Sequence, residues 1–174
     1  MKNKNYYGKG LSAIEGSSWK FNRKVSNQFD KHVRQSIPHY DDIQKYICTL
    51  SEWFIKDKST IYDLGCSTGE TAKNLCSIYK SKNFQYYGYD LSSTMIKIAK
   101  NKNKKEYKKL SFKLGDINKI NFKKKSDLFL SILTFPFLNS QQRIGLFKKI
   151  YKSLNYGGAL IFVDKIRSSS SVYE

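Results

Sequence analysis

A short acidic loop containing two glycines is the part of the sequence best suited to bind a small molecule. It covers residues 61–70 and reads Ile-Tyr-Asp-Leu-Gly-Cys-Ser-Thr-Gly-Glu. Gly65 and Gly69 lack a Cβ, so the backbone can approach a ligand closely, although a plain strand-to-helix turn would also use them. The Asp63 carboxylate suits an ammonium group and would repel a pyrophosphate. Because Ser67 also replaces the middle glycine of the dinucleotide-binding pattern, we expect a different nucleoside ligand.

Two further aspartates follow the next two predicted strands. Asp90 ends the second strand and is placed to accept hydrogen bonds from both ribose hydroxyls of a nucleoside, or to cap the following helix. Asp116 follows the third strand, where it can meet an adenine amino group while Ile117 packs against the ring; a simple turn is the alternative. Together with the loop, these acids predict S-adenosylmethionine as cofactor. Cys66 and Leu91 complete the predicted cofactor site.

Candidate catalytic residues lie at the end of the fourth predicted strand and before the first long helix. Thr134 and Phe135 belong to a segment expected to wall the site beside the reactive sulfonium, although an aromatic residue here is as often part of the core. Tyr40 is the predicted lid over the cofactor. His39 is a candidate proton acceptor, or an ordinary loop histidine. Methyl transfer needs orientation and a dry pocket more than a strong acid or base, so no metal or catalytic triad is expected.

These residues require a sheet that brings the carboxyl ends of several strands together. Short apolar segments alternate with helical ones, which predicts an α/β, Rossmann-like fold with a mostly parallel sheet and helices on both faces. The predicted strands are 60–64, 84–89, 110–114, 127–133 and 159–163, and the predicted helices between them are 71–79, 93–100 and 140–154. The sequence 155–158, Asn-Tyr-Gly-Gly, is expected to stop the last helix and turn the chain.

The remaining sequence predicts four regions. They are a flexible arm over 1–28, a helical lid over 29–57 that includes helices 29–37 and 41–56, a cofactor-binding domain over 58–167 and a Ser-rich tail over 168–174. In these motifs the chain resembles the class I methyltransferases, and that resemblance implies that the last two strands of the complete sheet are missing. An edge left after the fifth strand would favour aggregation unless covered, so a homodimer or a longer parent chain is expected.

Composition sets wide limits on the partners. No stretch approaches the ~20 apolar residues of a membrane span, and no secretory signal is evident. The three cysteines show no metal-binding or disulfide spacing, which indicates a cytoplasmic protein with free thiols. The formal net charge is +18, carried mostly by lysine. That charge fits either a solvated surface from an AT-rich genome or a face that contacts tRNA or another acidic partner.

Beyond these patterns, the chain resembles the carboxy-S-adenosylmethionine synthases, a class I methyltransferase family long catalogued as tRNA wobble-uridine methyltransferases. The similarity runs from about residue 29 to the end of the chain. The matching segments are Phe29-Asp30-x-x-Val33, Gln35-Ser-Ile-Pro-x-Tyr40, Tyr62-Asp-Leu-Gly-Cys-Ser67, Asp90-x-Ser-x-x-Met95-Ile, Gly115-Asp-Ile117, Thr134 with Phe137-Leu138, Lys149-Ile-Tyr, Leu154-Asn and Gly157-Gly-Ala-Leu160.

The resemblance implies a role for each matching position. Tyr40 closes over the cofactor, residues 65–67 hold its amino-acid end, Asp90 binds the ribose, and Asp116 with Ile117 lines the adenine. The implied reaction takes carbon dioxide from prephenate and attaches it to the activated methyl of S-adenosylmethionine, giving a carboxymethyl donor for the tRNA wobble uridine.

Two departures from this family keep other functions open. The family's Asn on the fourth strand aligns with Ile132, which is nonetheless included in the predicted cofactor site. The family's carboxylate-binding Arg-Tyr pair lies in a C-terminal region absent from this sequence, and Arg167 and Tyr173 are not assigned to those roles.

The leading prediction is therefore a transferase acting at the sulfonium methyl of S-adenosylmethionine, most simply a methyltransferase. The alternatives are a carboxy-S-adenosylmethionine synthase and a non-catalytic binding module or fragment.

Overall fold

A parallel five-stranded sheet lies at the centre of the structure, a computed structural model that describes residues 29–106 and 108–165. The strand order is β3-β2-β1-β4-β5, and every neighbouring pair runs parallel. The strands are β1 Thr60–Leu64, β2 Gln85–Asp90, β3 Leu110–Leu114, β4 Ser126–Ile132 and β5 Leu154–Val163. Because β1 is central, its carboxyl end lies between those of β2 and β4, where ligands bind in sheets of this kind.

The helices precede β1 or connect the strands. They are α1 Phe29–Ser36, α2 Tyr40–Ser51, α3 Glu70–Ile78, α4 Ser93–Lys102 and α5 Ser140–Ser153, with short 3-10 helices at Lys104–Glu106 and Phe135–Phe137. Ser92 caps α4 by accepting a hydrogen bond from the Met95 backbone N–H at 3.3 Å. Asn139 and Gln142 form a reciprocal capping box at the start of α5. Local sequence thus fixes where both helices begin.

Two apolar cores cover the two faces of the sheet. Successive side chains of a strand point to opposite faces, and accordingly Ile61 lies in one core while Tyr62 lies in the other. The first core contains residues of α2, α3 and α4, and the second contains Leu146 and Ile150 of α5. All five residues of β1 are buried, as expected for a strand covered on both sides. The predicted α/β fold with helices on both faces is confirmed.

Two predicted boundaries were wrong by about five residues. Helix α2 ends at Ser51 rather than near residue 56. Strand β5 begins at Leu154 rather than at 159, because the segment predicted as a turn continues the strand through an irregularity. Ser126 pairs with Leu154 and Leu128 with Ala159, so the extra residues bulge, and Gly157 adopts φ +75° there.

Some predicted features are outside the described residues, namely the arm over 1–28 and the tail over 168–174. Within the described part of the chain, no helix combines the length and apolar character needed to cross a bilayer.

Candidate cofactor-binding site

The loop between β1 and α3 is shaped by its two glycines. Gly65 has φ +88° and Gly69 has φ +72°, in the left-handed region that favours glycine. The backbone N–H groups of Gly65 and Cys66 both donate to the carbonyl of Tyr89, at 2.8 and 2.9 Å. The loop is therefore anchored to the carboxyl end of β2.

The close approach at Gly65 also involves the end of β4. A Cβ built on Gly65 would lie 2.1 Å from Oγ1 of Thr134. That separation is far too short for any real contact, so glycine is required by packing as well as by φ. Thr134 is thus placed directly against the loop, as the predicted site requires.

Asp90 binds the backbone of the loop through its carboxylate. Its Oδ2 accepts a hydrogen bond from the Ser67 backbone N–H at 3.0 Å, and its Oδ1 accepts one from the Ser92 N–H at 2.8 Å. Burial raises the pKa of Asp90, and these two N–H donors oppose that rise. Each carboxylate oxygen can accept a further hydrogen bond. The helix-capping role that the sequence left as an alternative for Asp90 belongs to Ser92 instead, and the two contacts of Asp90 leave acceptor capacity for a diol.

Asp63 is the buried penultimate residue of β1, at the start of the same loop. Its side chain is 1 % exposed, and its Oδ2 accepts a hydrogen bond from the hydroxyl of Tyr86. Its Oδ1 is buried and has no hydrogen-bond partner among the described residues. Burial raises the pKa of Asp63 to about 7, even though the Tyr86 hydrogen bond acts to lower it. A buried carboxylate oxygen without a donor costs free energy unless a cation or donor reaches it, which fits a ligand with an ammonium group.

The residues expected around an adenine differ in exposure. Asp116 is partly exposed, and its Oδ1 accepts hydrogen bonds from the backbone and side-chain N–H groups of Asn118, at 2.9 and 3.1 Å. Ile117 is 5 % exposed and packs in the second core. Leu91, by contrast, is 73 % exposed at the end of β2. The exposed apolar surface at this edge therefore comes from Leu91 rather than from Ile117.

The segment after β4 is strained and turns sharply. Leu133 has φ +55°, which is unfavourable for a residue with a Cβ, and such strain is concentrated at functional sites. Thr134 donates from Oγ1 to the carbonyl of the half-buried Ile132 at 3.3 Å. Phe135 is 1 % exposed, and its ring packs against those of Phe147 and Phe162. Of the predicted wall, Thr134 faces the loop and Phe135 belongs to the core.

The predicted lid is connected to the helix that follows the loop. The Tyr40 hydroxyl accepts a hydrogen bond from Nε2 of Gln44 at 3.1 Å, and burial raises its pKa to about 12. Oε1 of the buried Gln44 accepts hydrogen bonds from Thr71 at 3.1 Å and Asn74 at 3.3 Å on α3. His39 is mostly exposed, with Nδ1 3.3 Å from Oδ2 of Asp42. Tyr40 is thus fixed relative to the loop helix, whereas His39 points into solvent.

Comparison with protein families agrees with this geometry. The family described as "Methyltransferase domain" matches residues 61–158, which runs from the first residues of the loop to the bulge in β5. The chain belongs to this methyltransferase domain family.

Curated relatives narrow the likeness. The carboxy-S-adenosyl-L-methionine synthase of Staphylococcus epidermidis is 34% identical over 149 residues, covering 85% of this chain and 64% of that protein. The enzyme of the same name from Campylobacter lari is 32% identical over 148 residues, covering 85% of this chain and 62% of that protein. The methyltransferase-domain chain thus spans less than two thirds of the length of these relatives.

Solved structures support the fold and the cofactor class. An S-adenosylmethionine-dependent methyltransferase from Clostridium acetobutylicum is 28% identical, with a TM-score of 0.63 over 80% of this chain and 55% of that one. A second S-adenosylmethionine-dependent methyltransferase structure, a putative one from Methanococcus maripaludis, has the same fold. It is 21% identical, with a TM-score of 0.65 over 86% of this chain and 66% of that one. The Rossmann-like class I methyltransferase fold and the family-level prediction of S-adenosylmethionine as cofactor are confirmed.

Sequence reasoning missed two residues that shape the methyltransferase loop. A Cβ on Gly88 in β2 would lie 2.9 Å from Cβ and Sγ of Cys66 and from a ring carbon of Phe112, so glycine makes room for the loop there. A glycine inside a strand is a sign of close approach and could have indicated this. Lys102, at the end of α4, donates to Thr68 of the loop. No local pattern in the sequence points to that contact.

Proposed function

We propose that this chain is an S-adenosylmethionine-dependent transferase that holds its cofactor across the carboxyl ends of β1, β2 and β3. The observation that carries the proposal is the buried Oδ1 of Asp63, which has no hydrogen-bond partner among the described residues and lies at the start of the loop that contains Gly65. A cationic amino-acid group would supply the missing partner of this oxygen.

The other end of the cofactor is assigned to the β2 and β3 edge. Asp90 would accept hydrogen bonds from the ribose hydroxyls while keeping its contacts to Ser67 and Ser92. Leu91 would cover the adenine with its exposed side chain, and Asp116 would accept a hydrogen bond from the adenine amino group. Cys66 and Gly69 contribute by shaping the loop, and Ile117 contributes by supporting Asp116 from the core.

When bound, S-adenosylmethionine supplies an activated methyl on a sulfonium, which an acceptor attacks in line. The chain's own residues then need to orient the partners and exclude water. Thr134 lies against Gly65 and bonds the carbonyl of the half-buried Ile132, and Tyr40 is linked to α3 through Gln44. We propose that Tyr40 covers the site and that Thr134 borders the reacting group.

A matched pair of aspartates tests the cofactor assignment. Asp90 and Asp127 both accept backbone N–H hydrogen bonds, but Asp127 bonds Thr60 at the opposite end of β1. Asp90→Asn is expected to weaken S-adenosylmethionine binding about tenfold or more, since a charged acceptor to the ribose is lost. Asp127→Asn should leave binding near wild type. Isothermal titration of both variants decides, and equal affinities would contradict the assignment.

The finer chemistry follows the curated relatives. We propose that the whole protein makes a carboxylated S-adenosylmethionine with prephenate as carboxyl source, because the matching relatives carry the synthase name. Incubation with both compounds, followed by mass spectrometry of the nucleoside, should show the mass of an added carboxyl group. Consumption of S-adenosylmethionine with a methylated acceptor would support simple methyl transfer instead. Binding without any turnover would identify a non-catalytic module.

Assembly and location stay proposals. Within the described residues β5 pairs with β4 at the end of the sheet, and Tyr156 and Phe162 on it are exposed. These features support a homodimer, which light scattering after gel filtration would test.

The net charge of +18 supports a contact with tRNA, testable by the salt dependence of binding to a wobble-uridine tRNA. A cytoplasmic location also remains a prediction.

A further inference from the structure

Lys102 connects three parts of the molecule that are far apart in sequence. Its Nζ donates to the carboxylate of Asp30 on α1, to Oγ1 of Thr68 in the loop at 3.1 Å and to Oε2 of Glu70 on α3 at 2.8 Å. The Lys102 side chain is 17% exposed and that of Glu70 is 14% exposed. Solvent therefore screens these contacts less than it screens ordinary surface ion pairs.

A second cation closes the network. Arg34 of α1 donates to Oε1 of Glu70 at 3.1 Å and to Oδ1 of Asp41 on α2 at 2.9 Å. Glu70 therefore binds Lys102 with one oxygen and Arg34 with the other. Burial acts to raise the pKa of Asp30 and Glu70, but the hydrogen bonds and charges of their neighbours, led by Lys102, outweigh it, and the pKa of each lies below its ordinary value.

The network acts directly on the cofactor loop. Thr68 is 2 % exposed, and its Oγ1 donates to Oδ1 of Asp30 at 2.5 Å while accepting from Lys102. The next residue after Lys102, Asn103, donates from Nδ2 to the carbonyl of Gly69 at 3.2 Å. The end of α4 thus holds two consecutive loop residues, one of them through a group that also binds α1.

The same network reaches the predicted lid. The guanidinium carbon of Arg34 lies 5.9 Å from the centre of the Tyr40 ring, a distance at which cation–π attraction operates. Tyr40 is the first residue of α2, and Asp41 beside it is bound by Arg34. Any movement of α1 away from Lys102 would therefore disturb both the loop and Tyr40.

We propose that Lys102 is a positioning residue that fastens the N-terminal helices α1 and α2 to the cofactor loop and so holds Tyr40 over the cofactor. The expected effect on cofactor affinity rests on the proposed function. The attachment of α1 to the loop can be tested in the protein without any ligand. Without Lys102, the neighbouring carboxylates of Asp30 and Glu70 face one another with less positive charge between them. Their repulsion then favours release of α1.

The test compares Lys102→Met with Lys104→Met, which removes the same charge from an exposed position two residues further on. In ligand-free protein, hydrogen exchange of residues 29–36 should accelerate in Lys102→Met while β1 keeps its protection. Lys104→Met should match wild type. Affinity for S-adenosylmethionine, from titration calorimetry, should fall about tenfold in Lys102→Met alone.

Adding Asp30→Asn to Lys102→Met should restore part of the protection of α1, because it removes one of the repelling carboxylates. Unchanged exchange in α1 on Lys102→Met would overturn the proposal, and so would a uniform loss of protection that includes β1. If wild type binds no S-adenosylmethionine, the proposed function fails while the exchange data still decide the role of Lys102. If exchange changes as expected but affinity does not, Lys102 fastens α1 without positioning the cofactor site, and the proposal is wrong.

Discussion

The two sides of β1 are built from different interactions. Towards β2, the structure buries polar groups: Asp63 lies under the loop, Asp90 accepts two backbone N–H groups, and Thr68 joins the Lys102 network. A side chain at Gly65 would collide with Thr134, and one at Gly88 would collide with Cys66. This side depends on the exact matching of donors, acceptors and charges.

Towards β5, three phenylalanines pack together after the end of β4. Phe135 is 1 % exposed, and its ring centre lies 4.9 Å from that of Phe147 and 5.5 Å from that of Phe162. The two partners are only partly covered, Phe162 being 49% exposed. This side depends on apolar area, and part of that area still faces outwards in the described structure.

The contrast separates function from stability. On the β2 side, charged acceptors and a buried Asp63 oxygen without a hydrogen-bond partner among the described residues suit a ligand that has a positive group. The β5 side contributes folding free energy, and Thr134 at the end of β4 lies against Gly65 of the loop. Substitutions on the two sides should therefore differ in whether they change binding or only unfolding.

The largest loss of stability is expected on the β5 side. Phe135→Ala removes a buried ring and should lower the free energy of unfolding by about 3–5 kcal/mol. Phe162→Ala is the matched control in the same cluster and should cost about 1–2 kcal/mol, since its ring is half exposed. Urea denaturation measures both. Equal losses would show that the outer face of β5 is as well covered as the core.

On the β2 side, Gly65→Ala should change both stability and binding. The new Cβ would meet Thr134 at an impossible distance, and alanine disfavours φ +88°. We expect a loss of roughly 2–4 kcal/mol of unfolding free energy and of most S-adenosylmethionine binding.

A second substitution separates the two causes at Gly65. Thr134→Ala removes Oγ1 and Cγ2, the two atoms closest to the new methyl. If steric contact dominates, Gly65→Ala with Thr134→Ala should be more stable than Gly65→Ala alone. No recovery in denaturation would mean that backbone strain accounts for the loss.

A smaller and pH-dependent effect is expected from Asp63. Its pKa is raised from the ordinary 3.8 to about 7 in the folded protein, so the folded state holds this proton more tightly than the unfolded state. Its contribution to the free energy of unfolding therefore falls as pH rises from about 4 to about 7 and is constant above that. Asp30 and Glu70, with lowered pKa values, act in the opposite direction and only in more acidic solution.

Asp63→Asn should flatten this fall in unfolding free energy between pH 5 and pH 8, measured by urea denaturation in matched buffers. The slope should not vanish, because burial also raises the pKa of Asp90. An unchanged slope would show that Asp63 is ionised in the folded protein across this range.

The sequence predicted much of the β2 side because its signals are local. β1 and β3 have the predicted bounds, and β2 and β4 are shifted by one residue. A short apolar run followed by a glycine turn is readable without tertiary information. Helices α4 and α5 also begin at the predicted residues 93 and 140, directly after their caps Ser92 and Asn139.

Other features depend on contacts that local sequence does not encode. The apolar spacing of α2 continues to Phe54 and therefore predicts a longer helix than the structure has. The backbone N–H of Phe54 instead donates to the carbonyl of Ser51 in a turn. The Lys102 network joins residues 30, 68, 70 and 102, which have no common spacing. Phe135 follows a strand end like a site residue, but the packing of α5 and β5 encloses it.

The smallest predicted effect tests how open the outer face of α5 is. Gly145 lies inside α5, and a Cβ added there would meet nothing within 4 Å. Gly145→Ala should therefore raise the free energy of unfolding by about 0.5–1 kcal/mol through helix propensity alone, with S-adenosylmethionine affinity unchanged. Denaturation at two protein concentrations checks this result. If the substitution instead destabilises the protein, and more so at high concentration, another copy of the chain covers this face, and the β5 side is buried in an assembly.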